Sequence, residues 1–444
     1  MPVPSAQSPV TFRDNLPDKV DVVVIGAGII GICTAWFLAR DGHSVLVCEK
    51  GRVAGEQSSR NWGWVRQTGR DEAELPIMMD SINIWETITA EIEEDTGFQR
   101  GGVLFLAENE KDQNTFEQWL PVAAKYGLDT RALTRSEVEE TVDCNRNEWV
   151  GGLYTKSDGR AEPFKAVPAM ARAAQKDGCS IIENCAVRSI ETAAGEVSLV
   201  ITEQGEVKTG AVVCAGGTWS SLFLANLGVS LPQLLVRGTV ARTKPGPEVF
   251  PGCAGSHRFA FRRRQDGGYT LALGNYLEHF ISDNSFRYCL KFLPALRQSW
   301  DGIRFRIGDG LLERLFPTRK WQADETTPFE RTRVLNPPPC PWALKQIQER
   351  LAKSLPVLAQ TGIEEAWAGM IDAPPDFVPV MDAIPDYPGL YLATGFSGHG
   401  FGIGPGAGRV MARLVQGKPP EHDLARFRFS RFTDGSPVIP GPAM

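Results

Sequence analysis

No cationic excess, no cysteine framework and no unbroken apolar span mark this 444-residue chain. Lys and Arg number 47 against 53 Asp and Glu, a formal net charge of −6, whereas a nucleic-acid partner requires a cationic face. The nine cysteines are odd in number and scattered, with no CxxC or other zinc-type spacing. That excludes a disulfide scaffold, gives no reason to expect a metal, and predicts reduced thiols in a cytoplasmic protein. Residues 1–18, "MPVPSAQSPVTFRDNLPD", have neither a basic nor an apolar leader region, so they are expected to form a loose N-terminal arm rather than a secretory signal. Val20–Ala39 could pass on hydropathy for a membrane span. Asp21 and glycines 26, 28 and 31 interrupt it, and a span needs about 20 continuous apolar residues, so no transmembrane segment is expected.

What remains is an ordinary globular composition, 42% hydrophobic and 23% charged, in a chain too long for one hydrophobic core. "VDVVVIG" reads as a buried parallel strand, "IIGICTAWFLARDG" as a helix closed by Gly42, and "HSVLVCEK" as a second strand. The same alternation returns at "EPFKAVPAMARAAQKDG", "SIIENCAVRSIET", "TGAVVCAGG" and "GLYLATG". "AGRVMARLVQG", residues 407–417, reads as a helix near the end. Residues 83–150 and 232–355 differ in texture: charged helical patterns, then alternating strands. The predicted fold class is α/β with two domains. A Rossmann-like dinucleotide-binding domain is assembled from 19–82, 151–231 and 356–430, and 83–150 with 232–355 form an inserted antiparallel-sheet substrate domain.

"GAGIIG" sets Gly26, Gly28 and Gly31 in the GxGxxG pattern at a strand-to-helix turn. The first glycine makes the turn, the second lets a pyrophosphate approach the backbone, and the third packs helix on strand. Ile29 and Ile30 carry helix amides toward the phosphates. Glu49, followed by Lys50 at the end of the second strand, can accept both ribose hydroxyls and would repel a 2′-phosphate. FAD and NAD both satisfy this half of the site. "FSGHGFGIGPGAGRV", residues 396–410, distinguishes them. A glycine-rich turn feeding a helix at 402–408 would let amides approach a flavin ring and stabilise charge near its N1.

Together these motifs resemble the D-amino-acid oxidase superfamily, within it the glycine oxidase, sarcosine oxidase and D-amino-acid dehydrogenase group. "VVVIGAGIIG", "GEQSSRNWG", "VVCAGGTWS" and "GLYLATGFSGHGFGIGPGAGRVMARLV" occur in the family's order. The resemblance implies bound FAD, a two-domain fold and oxidation of an amine beside a carboxylate, by hydride transfer to flavin N5 and hydrolysis of the resulting imine. It implies cofactor contacts from Ser58, Ser59, Arg60, Asn61, Trp62 and Gly63, from Val187, from Ala215, Gly216 and Trp219, and from Gly398, His399, Gly400, Phe401 and Gly402. It also implies oxygen or another electron carrier as acceptor.

Three departures matter. Ile371 stands where glycine oxidase has its carboxylate-binding arginine. Gly402 replaces the anchoring lysine of sarcosine oxidase, and Gly369 replaces the cysteine that joins flavin covalently there. FAD is therefore expected to be non-covalent, and the substrate carboxylate needs another cation. Arg66, beside Trp64, has the family spacing for it; Arg237, Arg258 and Arg262 are further candidates, and His399 lies near the ring. Several arginines around one pocket would suit a dicarboxylate secondary amine such as iminodiacetate or an opine. The alternatives are an NAD-dependent dehydrogenase, FAD-dependent oxidation of a 2-hydroxy acid or polyol phosphate on this scaffold, and a non-catalytic flavin-binding module.

Overall fold

Gly26 and Gly31 begin a parallel sheet: β1 (Val22–Ile25) leads through α1 (Ile29–Arg40) into β2 (Val45–Glu49). β1 pairs in parallel with β2 on one side and with Ala211–Cys214 on the other. Ser180–Glu183 extends the sheet beyond β2, Leu390–Thr394 extends it beyond Ala211–Cys214, and Val380–Ala383 closes that edge antiparallel. The computed structural model describes residues 3–442 apart from 146 and 309. Val23, Val24, Leu46, Val47, Val212 and Val213 are all buried, as a sheet covered on both faces requires.

A second, ten-stranded sheet centres on Leu234–Thr243, which pairs along its length with Ile363–Ala373. Gly151–Thr155 and Ile363–Ala373, read from the sequence as parts of the dinucleotide-binding segments, hydrogen-bond into this larger sheet. The pairing carries Gly369 and Ile371 to the boundary between the sheets. Among the described residues no helix is long and apolar enough to cross a membrane.

The N-terminal arm is not loose over its described residues; residues 1 and 2 lie outside them. Phe12 is 2% exposed, and the Thr11 N–H donates to Glu183 at 2.6 Å. Buried Arg52 donates to the carbonyls of Ser8 and Ala6, and buried Arg60 to that of Pro4. The arm satisfies polar groups that burial would otherwise leave without water.

The last helix also differs from the sequence reading. It runs Gly400–Val415, so glycines 402, 404, 406 and 408 lie inside it rather than in a turn. Their missing side chains admit neighbouring elements. A β-carbon on Gly402 would lie 3.2 Å from Trp64 O, one on Gly404 2.8 Å from Ile29 Cγ1, and one on Gly408 2.5 Å from Cys33 Cβ. On Gly406 it would strike Ile77 O. Gly402 O instead accepts from Ser81 Oγ at 2.7 Å and Trp85 Nε1 at 2.9 Å. Close approach of protein elements demands these four glycines: the strand Trp64–Val65 at Gly402, and neighbouring helices at 404, 406 and 408.

Candidate dinucleotide and substrate site

Gly26 has φ +101°, and a β-carbon there would sit 2.7 Å from Ala215 O, just past the adjoining strand Ala211–Cys214. At Gly28 it would lie 3.1 Å from Ser58 Oγ, and at Gly31 it would meet Gly26 O. The Ile29 N–H donates to Ser58 Oγ at 2.9 Å, placing the Ser58 loop at the mouth of α1. Glu49 accepts from the Ala27 N–H at 2.8 Å and the Gly51 N–H at 2.7 Å. Burial nonetheless pushes its carboxyl up to about 7.

A single cavity is walled by both halves of this arrangement. Gly26, Gly28, Ile29, Ile30, Glu49, Lys50, Ser58, Asn61, Val187, Ala215, Gly216 and Trp219 line it, together with Gly398, Gly400 and Phe401. A cradle closed to β-carbons, the N-terminus of α1, a buried carboxylate and a second helix N-terminus fit an adenine dinucleotide with a ring at its far end.

Seven expected residues are not part of that wall. Gly31 lets α1 close on Gly26 and Val24, and Gly402 lets the last helix approach Trp64 and Val65. Ser59 Oγ donates to Glu56 O. The Arg60 guanidinium donates to Asn336 Oδ1, Ala368 O and Gly55 O and so clamps two loops to the strand Ile363–Ala373. Trp62 O accepts from Arg262, while Gly63, with φ +78°, donates its N–H to Asn61 Oδ1 at 2.8 Å. His399 caps the last helix, and its buried Nδ1 has no partner among the described residues. Burial, with Arg70 and Arg66 nearby, drives its pKa well below the usual imidazole value, so the ring is neutral.

Two lining carboxylates escaped sequence reasoning. Glu56 accepts from Lys50 at 2.7 Å, Trp219 Nε1 at 3.0 Å and the Leu335 N–H at 3.0 Å. Asp372 accepts from the Gly395 N–H at 2.7 Å, Gln233 Nε2 at 3.1 Å and Thr394 Oγ1 at 3.2 Å. Glu56 stands one residue from the "QSSRN" loop, and Asp372 directly follows Ile371. Adjacency was the available signal.

Register decides which residues of the large sheet pack beside Gly398, which lines the cavity. Gly238 opposes Gly369, and Val236 opposes Ile371. β-carbons on Gly238 and Gly398 would contact Ile371 Cδ1 at 3.5 and 3.6 Å, and Leu277 lies 3.7 Å from the former. An apolar wall therefore stands where the family's arginine was missing. Arg237, on the opposite face, pairs instead with Glu278 at 2.6 Å. Arg258 pairs with Glu108 at 2.8 Å and Glu148 at 2.9 Å. Arg262 is 2% exposed and pairs with Glu162 at 2.8 Å while donating to Trp62 O, so it supports the Trp62–Gly63 loop. The three arginines are thus ion-paired within the protein and do not line the cavity; Arg258, expected on a strand, precedes the strand Ala260–Arg263 and keeps 37% of its side chain exposed.

Arg66 is buried, packs 5.2 Å over the Phe105 ring and donates to Thr68 O. Burial and neighbouring Arg70 hold its pKa down to about 9. Trp64 packs edge-on against Trp62 and Phe105, at 5.7 and 6.0 Å between ring centroids. Arg70 donates to Arg66 O at 3.1 Å and reaches His399 O at 3.5 Å. Two guanidinium groups consequently gather behind the turn that leads from Gly398 into the last helix.

The chain matches the family described as FAD dependent oxidoreductase (DAO) over residues 21–414. A solved L-amino acid deaminase from Proteus myxofaciens, in complex with anthranilate, is 32% identical with a TM-score of 0.92, over 97% of each chain. Mitochondrial sarcosine dehydrogenase from Mus musculus is 25% identical over 430 residues, 94% of this chain, which spans only 42% of that protein's length. One of the subunits of an opine oxidase from Rhizobium meliloti is 27% identical over 320 residues, covering 66% of this chain and 84% of that protein. With its dinucleotide cradle and its family match in agreement, the chain belongs to the FAD-dependent oxidoreductases of the DAO family.

Proposed function

We propose that this enzyme oxidises the C–N bond of an amino acid, or of an N-substituted amino acid, bearing one carboxylate. The observation that supports the reading is the apolar packing of Ile371 and Leu277 at Gly238, with Ile371 also against Gly398, which lines the dinucleotide cavity. The relatives named above act on L-amino acids, sarcosine and opines by name, and these share an amine next to a carboxylate. A second carboxylate is not favoured, since Arg237, Arg258 and Arg262 are already neutralised internally.

Bound FAD supplies the hydride acceptor. The chain's own part is to hold the substrate and exclude water. Arg66 is the proposed carboxylate anchor, acting in a dry setting where a charge-assisted pair is strong. The wall at Ile371 takes the aliphatic part of the substrate. Gly400 and Phe401 offer helix-terminal amides at the ring end. The amine must enter neutral, so turnover rises with pH through its own pKa, and no acid–base triad is needed. We also propose that FAD is held without a covalent bond: Gly369 offers no thiol, and of the cavity-lining cysteines Cys48 lies next to last in β2 and Cys214 ends its strand, both beside the phosphate cradle. Mass spectrometry of products tests the reaction. An oxo acid with ammonia or an alkylamine supports C–N oxidation, whereas an oxo acid formed only from a 2-hydroxy acid opposes it.

A further inference from the structure

Asp372 follows Ile371 on the strand Ile363–Ala373, but alternation turns it to the other face, and there it lines the dinucleotide cavity. It is buried. Three donors converge on its Oδ2: the Gly395 N–H at 2.7 Å, Gln233 Nε2 at 3.1 Å and Thr394 Oγ1 at 3.2 Å. Oδ1 takes none of these three and is left for the cavity. The surroundings are themselves pinned. Gln233 Nε2 also donates to Gly217 O at 3.1 Å, and the Ser397 N–H donates to Asp372 O at 3.0 Å. All three donors to Oδ2 are uncharged, and their convergence on one oxygen suits the ionised form. Burial raises the pKa above the usual aspartate value, and these hydrogen bonds hold the rise back.

The place of this carboxylate in the cavity is set by its partners. Gly395 opens the turn that leads through Gly398 into the last helix, whereas Glu49 stands at the end of β2, beside the phosphate cradle. A negative charge therefore belongs to the flavin half of the cavity as well as to the adenosine half. The other charges at that end have the opposite sign. The helix beginning at Gly400 presents about half a positive charge at its N-terminus. Arg66 and Arg70 stand behind the same turn, close enough to act on His399. Those cations favour negative charge on a flavin ring, and Asp372 opposes it. Charge near the ring governs how readily flavin takes up electrons.

We propose that the Asp372 carboxylate holds the reduction potential of bound FAD below the value that the helix N-terminus, Arg66 and Arg70 would set, and so favours passing electrons on to the acceptor. This rests on FAD filling the cavity and not on the identity of the substrate. Sulfite is the probe: it adds to flavin N5 and leaves negative charge on the ring, so loss of the yellow absorbance reads its affinity without turnover. FAD-loaded Asp372→Asn, which keeps an oxygen for the Gly395 N–H, should bind sulfite about tenfold or more tightly than the wild type, as removal of one nearby charge inside a protein requires. Its midpoint potential, read against a reference dye during slow anaerobic reduction, should rise. Asp372→Ser should move both quantities in the same direction. Sulfite affinity and potential that stay at wild-type values in a fully FAD-loaded neutral variant, or that move the other way, would overturn the proposal. Failure of both variants to retain FAD would also overturn it, by making the carboxylate a cofactor-binding group instead.

Discussion

Ile371 Cδ1 lies 3.6 Å from the position of the β-carbon that Gly398 lacks, and Gly398 itself has φ +81°. The distance is an ordinary packing contact. The backbone conformation is the demanding part, because L side chains pay about 1–2 kcal/mol there. Gly398→Ala should therefore lower thermal stability and FAD retention by that amount. Ile371→Ala should not rescue it. Full recovery of the melting temperature in the double variant would show that side-chain crowding, not φ, makes glycine necessary.

The interior glycines of the last helix give the opposite test. Alanine is a better helix former than glycine by about 1 kcal/mol. At Gly408, however, its β-carbon would lie 2.5 Å from Cys33 Cβ and 2.7 Å from the Cys33 carbonyl carbon in α1. Overpacking costs about 1–3 kcal/mol, and the obstruction here includes backbone. Gly408→Ala should destabilise the protein in chemical denaturation despite the propensity gain. An unchanged or raised midpoint would contradict the close helix approach.

Glu49 yields a pH dependence with a definite sign. Burial raises its folded pKa to about 7, so the protonated form persists to near neutrality in the FAD-free protein. Ribose hydroxyls require the ionised acceptor. FAD affinity should fall as pH drops through 7, approaching about tenfold per unit, while stability of the FAD-free protein falls as pH rises from the usual carboxylate range to 7. Fluorescence titration of FAD reads the first, and Glu49→Gln should flatten it. Glu49→Ala should weaken binding by about 1.5–3 kcal/mol. A pH-independent affinity in the wild type would remove Glu49 from the ribose.

Arg66→Met should raise KM about 30-fold or more and leave the visible flavin spectrum intact, from a loss of roughly 2 kcal/mol upward for a buried charge pair. Arg66→Lys should recover part of this, since lysine lacks the two-pronged fork. The wild-type KM should also climb above about pH 9, where the guanidinium held down by burial and Arg70 loses its charge. Unchanged KM in Arg66→Met would leave the pair behind His399 as structural support alone.

Acid precipitation decides the cofactor linkage. Yellow colour should pass into the supernatant, because Gly369 brings no thiol to the site. Flavin retained in the pellet would direct attention to the cavity-lining Cys48 and Cys214.

The dinucleotide cradle was legible because its signals are local. Gly26, Gly28 and Gly31 fall within six residues, and Glu49 closes a strand of obvious pattern. The last helix was misread at its start because alternating glycines erase apolar periodicity, and their reasons are Ile29, Cys33 and Ile77, far away in the chain. The strand arginines were misassigned for the same cause. The carboxylates that neutralise Arg237, Arg258 and Arg262 include Glu278, Glu148 and Glu162, 41, 110 and 100 positions away. Alternation along one strand predicts which residues share a face, but not what that face meets.

Anaerobic mixing tests the central claim most directly. The purified yellow protein, freed of oxygen, would be mixed in turn with L- and D-amino acids, N-methyl amino acids, dicarboxylate secondary amines and 2-hydroxy acids while its visible absorbance is followed. The account predicts bleaching by amino acids or N-substituted amino acids with one carboxylate and an apolar substituent, and return of the yellow colour when an electron acceptor is admitted. Bleaching by 2-hydroxy acids but by no amine, or a colourless protein that takes up no FAD, would contradict it.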